Sequence, residues 1–194
     1  MIFTDMHRVL VPLFAGFEEI EAITIIDVLR RAQIEVVTVS LGDRDVLGAH
    51  RIMVMADQTF DQISADNLNI VNEFEAIVLP GGAGTFRMRQ DPRIIQLVKD
   101  FAQRSKLVAA ICAAPTVLSD AGILKDRCAT SYPAVRSQME VAEYSLQSVV
   151  IDSQIVTSRG AGTAMAFALK LVELLKGSEL ANKLAQDMMF SPMS

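Results

Sequence analysis

The 194-residue chain has no tryptophan, two histidines, two cysteines and only 6% aromatic residues. Two cysteines, Cys112 and Cys128, cannot build the disulfide framework of a small secreted domain. Together with His7 and His50 they offer no spacing suited to a metal site. A basic run is missing too: Lys+Arg 18 against Asp+Glu 23 leaves a net charge of −5 and a pI near 5.0, which excludes the electrostatic footprint of a nucleic-acid binder. No apolar run is long enough for a membrane span. The amino-terminal MIFTDMHRVLVPLFAGFEEIE carries one strand's worth of apolar residues followed by glutamates, unlike a signal peptide. There is no glycine-lysine-serine phosphate loop and no complete dinucleotide fingerprint. These absences set the expectation of a cytoplasmic chain without cofactor or metal, whose partners are small molecules or proteins.

What is present is apolar patterning. A hydrophobic content of 51% over this length supports one sizeable core, hence a single domain over residues 1–194. Short β-branched runs alternate with helical patterns: RVLVPLF, EEIEAITIIDVLRRA, IEVVTVSL, then EAIVLP, PRIIQLVKDFAQRS and KLVAAIC. That alternation predicts parallel strands joined by helical crossovers. The continuously apolar strands over Val9–Leu13, Val36–Ser40, Ala76–Leu79 and Leu107–Ile111 suit a sheet covered on both faces. Asp152 and Ser153 separate VVI from IVTS at hairpin spacing, predicting an antiparallel addition. A long helix is expected over Ala164–Leu175 and a short one over Glu179–Met188, with Gly177 as the stop between them. In open α/β sheets ligands gather beyond the carboxyl ends of strands, so strand-to-helix junctions matter most.

One junction is unusual. In LVAAICAAPTVL, Ala110 and Ala114 flank Cys112 at the small-residue spacing that lets a nucleophile turn sharply from strand to helix, with alanine in place of glycine. Pro115 suits a first helical turn, placing the sulfur beside unpaired backbone N–H groups that favour thiolate. The alternative is a small buried hydrophobe at a strand end. Cys128, in KDRCATS, has no such turn and reads as structural.

No histidine adjoins the cysteine in sequence, so a Cys-His pair is unsupported. The first helix offers acids instead. Glu18 and Glu21 share a face with Ala22, Ile25, Val28 and Ala32. A carboxyl group drawn inward holds its proton to higher pH and can hydrogen-bond a neighbouring thiolate. Equally, acids in a first turn simply complement the helix dipole; for Glu19, pointing the other way, that is the expected role. The loop Leu79-Pro80-Gly81-Gly82-Ala83-Gly84 lets backbone amides approach a ligand or a developing oxyanion, and Gly160-Ala161-Gly162-Thr163 suits a helix start. Arg30, Arg31 and Arg51 are either solvated or partners of the acidic first helix in a subunit contact.

Taken together, VLVPLFAGFEEIEAITIIDVLRRA, AIVLPGG, VAAICAAPTVL and TSRGAGTA resemble, in the same order, the ThiJ/PfpI superfamily, in the branch of the Parkinson-disease protein and its bacterial relatives. The resemblance implies a flavodoxin-like three-layer α/β sandwich, mostly parallel with helices on both faces, and a homodimer. It implies Cys112 as the reactive thiol and Glu21 as its protonated partner, with Gly81, Gly82 and Ala113 supplying the backbone around the pocket and Glu18 a second acid. Tyr132 stands where that protein has a histidine before a proline. A histidine directly after the cysteine, typical of the peptidases, is absent, which argues against peptidase or amidase chemistry. The implied activity is a cofactor-free glyoxalase or deglycase acting on methylglyoxal and glyoxal or their adducts, with a redox-responsive chaperone or peroxide sensor as the alternative.

Overall fold

The computed structural model describes residues 7–63 and 67–191; residues 1–6 of the amino-terminal stretch lie outside them. The chain alternates as its patterning predicts. Strand β1 (Arg8–Leu13) leads through α1 (Glu19–Arg31) to β2 (Glu35–Ser40), followed by a small hairpin of β3 (Asp45–Leu47) and β4 (Met53–Met55). Short pieces β5 (Gln58–Thr59), α2 (Phe60–Ile63) and α3 (Asn67–Glu73) precede β6 (Ala76–Leu79), α4 (Thr85–Met88) and α5 (Pro92–Gln103). The second half runs β7 (Leu107–Ile111), α6 (Pro115–Asp120), β8 (Cys128–Ala129), β9 (Glu143–Tyr144), the hairpin β10 (Val149–Asp152) and β11 (Ile155–Ser158), then α7 (Ala164–Lys176) and α8 (Ser178–Asp187).

Seven strands form the central sheet in the order β10-β11-β7-β6-β1-β2-β5, parallel except for the β10–β11 hairpin. Successive side chains alternate between the two faces. Val9, Val11 and Leu13 of β1, with Ala76 and Val78 of β6, pack against α1, α7 and α8. Leu10, Ile77 and Leu79 face the opposite layer of α3, α5 and α6. Both faces are therefore apolar, which is why these strands lack a polar alternation. The fold is the expected three-layer α/β sandwich.

Local chemistry fixes the helix starts. Asp91 accepts a hydrogen bond from the Arg93 amide at 2.9 Å, and Pro92 opens α5 with a preset φ. Pro115 does the same for α6. Gly177, at φ +92, separates α7 from α8. The β10–β11 turn falls one residue later than expected: β10 includes Asp152, and Ser153 takes the left-handed conformation at φ +56 because the Asp152 carboxylate is occupied by the Cys128 amide and Arg127.

The order of connections reverses at β1, which pairs with β2 on one side and β6 on the other. The crevice at such a reversal, beyond the carboxyl ends of the strands, is where open α/β sheets place ligands. The segments following β1, β6 and β7 meet there.

Candidate active site

Cys112 immediately follows β7 and holds φ +64, a left-handed conformation that costs a non-glycine residue on the order of 1 kcal/mol or more. Two long-range hydrogen bonds keep it so. Its N–H donates to the Ser158 carbonyl at 3.0 Å, and its carbonyl accepts from the Tyr132 N–H at 2.7 Å. The sulfur is thereby turned out of the strand line into the crevice, half-buried, with the Gly82 and Ala113 amides donating toward it. Helix α6 spans only six residues, so these two amides, rather than a macrodipole, supply the positive potential.

Glu21, in the first turn of α1, is fully buried. Its Oε2 accepts from the Gly81 N–H at 2.8 Å, while Oε1 has no oxygen or nitrogen partner; the carboxyl interacts with the Cys112 thiol. Gly81 is obligatory for this contact, since a Cβ there would stand 2.6 Å from Cys112 Cβ and 2.8 Å from Glu21 Oε2. Gly82, at φ +103, lies with equal closeness on the Gly16–Glu18 backbone.

Electrostatics couple the two groups. Burial pushes Glu21 up to about 7, assisted by the Glu18 charge and opposed by the Gly81 amide and the thiol. Burial and the Glu21 charge push the thiol up to about 12, opposed by the Ala113 and Gly82 amides. Once Glu21 is charged, desolvation and that carboxylate outweigh the two amides, so the thiol gives up a proton easily only while Glu21 keeps its own. The values belong to the pair. Its first proton leaves near 7 and its second near 12, so in between one proton and one negative charge are shared. Two amides face the sulfur and one faces the carboxylate, so the charge is better solvated on sulfur, with the proton on Glu21.

Glu18 is mostly buried, and its N–H donates to the Gly81 carbonyl at 2.9 Å. Its carboxylate lies 3.4 Å from His50 Nδ1. Glu19, an acid in the first turn of α1 as expected, does more than complement the helix dipole. Glu19 is 5% exposed: it accepts from the His50 and Ile52 amides at 2.7 and 3.3 Å and from His50 Nδ1 at 3.1 Å, pinning the β3–β4 hairpin to α1. Desolvation alone would raise the Glu19 pKa, but these donors hold it below the ordinary range; the Glu19 carboxylate, with the Glu18 charge, in turn raises that of His50. Ligand atoms of Glu18, Glu19 and His50 lie within 4.8 Å of one another, a juxtaposition invisible in sequence, where 31 residues separate Glu19 from His50. The Glu19 oxygens are already satisfied, so the cluster reads as an anchor. Tyr132 reaches the site through its backbone; its ring lies beside Gly160 and is 49% exposed. Cys128, on β8, is surrounded by Glu143 and Asp152, which with burial push its thiol up.

Three strand ends thus present a cysteine at a strained strand-to-helix turn, a buried acid and a glycine loop: the class of flavodoxin-like α/β proteins with an elbow thiol. The DJ-1/PfpI family model matches residues 7–174, and the chain belongs to that family. It is 37% identical over 185 residues to Protein dj-1beta of Drosophila melanogaster, covering 93% of this chain and 95% of that protein. To the Glutathione-independent glyoxalase DJR-1.2 of Caenorhabditis elegans it is 35% identical over 169 residues, 86% of this chain and 87% of that protein. It spans 41% and 46% of the lengths of the Arabidopsis thaliana proteins DJ-1 homolog B and homolog A. Among solved structures, oxidized Toxoplasma gondii DJ-1 superposes with a TM-score of 0.86 at 36% identity, covering 95% of this chain and 99% of that one.

Glu21 sets a pH-dependent stability. The folded Glu21–Cys112 pair keeps its first proton up to about 7, whereas an exposed carboxyl releases its own near 4.5. The folded state is therefore favoured below 4.5 and progressively disfavoured as pH rises through 7, by about 3 kcal/mol in the alkaline limit. Glu21→Gln, which keeps the Gly81 bond without charge, should be more stable than wild type to urea at pH 8 and nearly equal at pH 4.5. Equal stability at both pH values would show the carboxyl to be unstrained.

Proposed function

We propose that the chain is a cofactor-free glyoxalase acting on small dicarbonyls such as methylglyoxal and glyoxal, with deglycation of their adducts as an extension of the same chemistry. The observation that carries this reading is the buried Glu21 carboxyl beside the Cys112 thiol, raised to about 7 and so able to give and take a proton at neutral pH. The Caenorhabditis elegans relative, named a glutathione-independent glyoxalase, supports it.

Cys112 sulfur attacks the aldehyde carbon of methylglyoxal, forming the S–C bond as the carbonyl π electrons move to oxygen. The Gly82 and Ala113 amides lie beside the developing oxyanion, and Glu21 gives it its proton, producing a hemithioacetal. The resulting carboxylate removes the hydrogen from the same carbon to form an enediol and returns a proton to the neighbouring carbon, leaving a thioester. Water then cleaves the S–C bond and releases lactate and the thiol. One carbon is oxidised and its neighbour reduced, so the net change is addition of one water and no external redox partner is required. Glu18, beside Glu21 and linked to solvent through His50, is the second acid on the path. Tyr132, whose backbone holds Cys112 and whose ring lies beside Gly160, orients substrate at the rim of the site. Peroxide oxidation of the same sulfur is a second reading, favoured by the two amides that would bind the added oxygens.

The active assembly is a homodimer. Ile20 and Ile23 on α1 and Met53 and Met55 on β4 are 58, 44, 57 and 66% exposed, on two elements that Glu19 fastens together. Such a patch is costly to leave in water, and a second copy of this chain offers the matching apolar face. Sedimentation should show a dimer for wild type and a folded monomer for Ile23→Glu combined with Met55→Glu; a wild-type monomer at tens of micromolar would contradict the assignment.

With methylglyoxal and no glutathione, wild type should form lactate, Cys112→Ser should fall to the uncatalysed rate, and Glu21→Gln should lose roughly 10²-fold in kcat, the usual size of a general acid–base contribution. Equal rates for wild type and Cys112→Ser would dismiss the thiol mechanism.

A further inference from the structure

Two arginines stand apart from the rest. Among the described residues every other arginine bonds an acid, a carbonyl or an amide oxygen, or lies over an aromatic ring. Arg51 and Arg87 have none of these. Both are exposed, and both line the same cavity of about 430 Å³, whose remaining wall is formed largely by small residues, among them Ala15, Gly16, Gly48 and Ala83. The two come from unrelated segments: Arg51 from the β3–β4 turn, where it holds φ +67, and Arg87 from α4. Asp43, Asp45 and Asp91 line the neighbouring cavity that Arg87 also borders, but among the described residues no carboxylate lies within ion-pair distance of either guanidinium.

The cavity shares the β6–α4 loop with the reactive thiol. Ala83 follows Gly82, whose amide faces the sulfur, and Gly16 packs on that glycine, its carbonyl 2.5 Å from where a Gly82 Cβ would be. One loop thus turns Gly82 toward the sulfur and Ala83 and Gly84 toward the cavity. The cavity's volume falls within the roughly 300–1,000 Å³ of small-molecule sites, more than a bare dicarbonyl needs. Small walls leave little side-chain chemistry besides the two guanidiniums, each a planar fork suited to oxyanions. One carboxylate satisfies a single fork; a phosphate monoester, with three oxygens and close to two negative charges at neutral pH, can engage both.

We infer that Arg51 and Arg87 form a phosphate-recognition subsite for carbonyl substrates, so that the preferred substrate is a phosphate ester of an α-oxoaldehyde whose carbonyl end reaches Cys112. The substrate assignment rests on the glyoxalase reading; the phosphate site does not. Neither arginine touches the reacting atoms in this arrangement, so both act by positioning substrate.

Two measurements on the oligomer as it exists in solution separate the claims. In the first, inorganic phosphate is titrated by NMR of the arginine Nε–H groups. Saturable shifts are expected for wild type, at least fivefold weaker binding for Arg51→Gln and for Arg87→Gln, and none for the double variant, whose thermal midpoint is checked to confirm folding. No saturation in wild type, or unchanged binding in the folded double variant, overturns the subsite. The second compares methylglyoxal with a phosphorylated α-oxoaldehyde. The phosphorylated compound should show a KM at least tenfold lower in wild type, an advantage lost in the double variant while kcat for methylglyoxal holds. Phosphate binding without that KM advantage overturns the substrate assignment and makes the site one for free phosphate. No turnover of either compound, with phosphate still bound, overturns the glyoxalase reading alone.

Discussion

One proton shared between Glu21 and Cys112 is the constraint around which the crevice is built. Two acidic groups placed together away from water cannot both be charged at neutral pH, because the second charge would face both desolvation and its neighbour's repulsion. What the protein controls is where the single charge sits. It does so with main-chain amides: Gly82 and Ala113 toward the sulfur, Gly81 toward the carboxyl. Amides carry no side chain that titrates or swings away, so the bias persists at any pH at which the fold survives.

Holding the pair in place requires several unfavourable local arrangements that the sandwich absorbs. Cys112 keeps a left-handed backbone because Ser158 on β11 and the Tyr132 amide hold it from two directions. Glu21 stays buried although its Oε1 lacks a partner. Gly81 and Gly82 let two loops approach to distances no side chain would permit. The strands behind them are uninterrupted apolar core, and that stability is what makes a strained, charged crevice tolerable.

Much of this was readable in the sequence, and what was not has a definite cause. Continuous apolar runs bounded by glycine and proline located β1, β2, β6 and β7 within a residue or so, and Gly177 separated α7 from α8 as expected. The elbow around Cys112 was visible because small residues on both sides of a cysteine, followed by proline, are a local signature. Helical periodicity put Glu21 on the apolar face of α1 but left its role open, and only the family likeness set it beside the thiol. The burial of Glu19 was not legible because its partners, the His50 and Ile52 amides, lie on a hairpin of two three-residue strands, too short for any periodicity. For the same reason His50 gave no hint that it would stand beside Glu18. Sequence shows the amides of a turn but not the depth of burial around them, so the strength of the coupling between the thiol and Glu21 was not legible.

The shared proton is tested most directly by the pH dependence of Cys112 alkylation by iodoacetamide, followed by intact mass in wild type and in Glu21→Ala. If the pair loses its first proton near 7 and leaves the charge on sulfur, the wild-type rate rises with an inflection close to pH 7, and removing the acid moves that inflection upward, to roughly 8.5 or beyond. A wild-type rate that begins to climb only far into the alkaline range, or an inflection that Glu21→Ala leaves in place, would mean that the charge resides on the carboxylate or that the two groups do not share a proton.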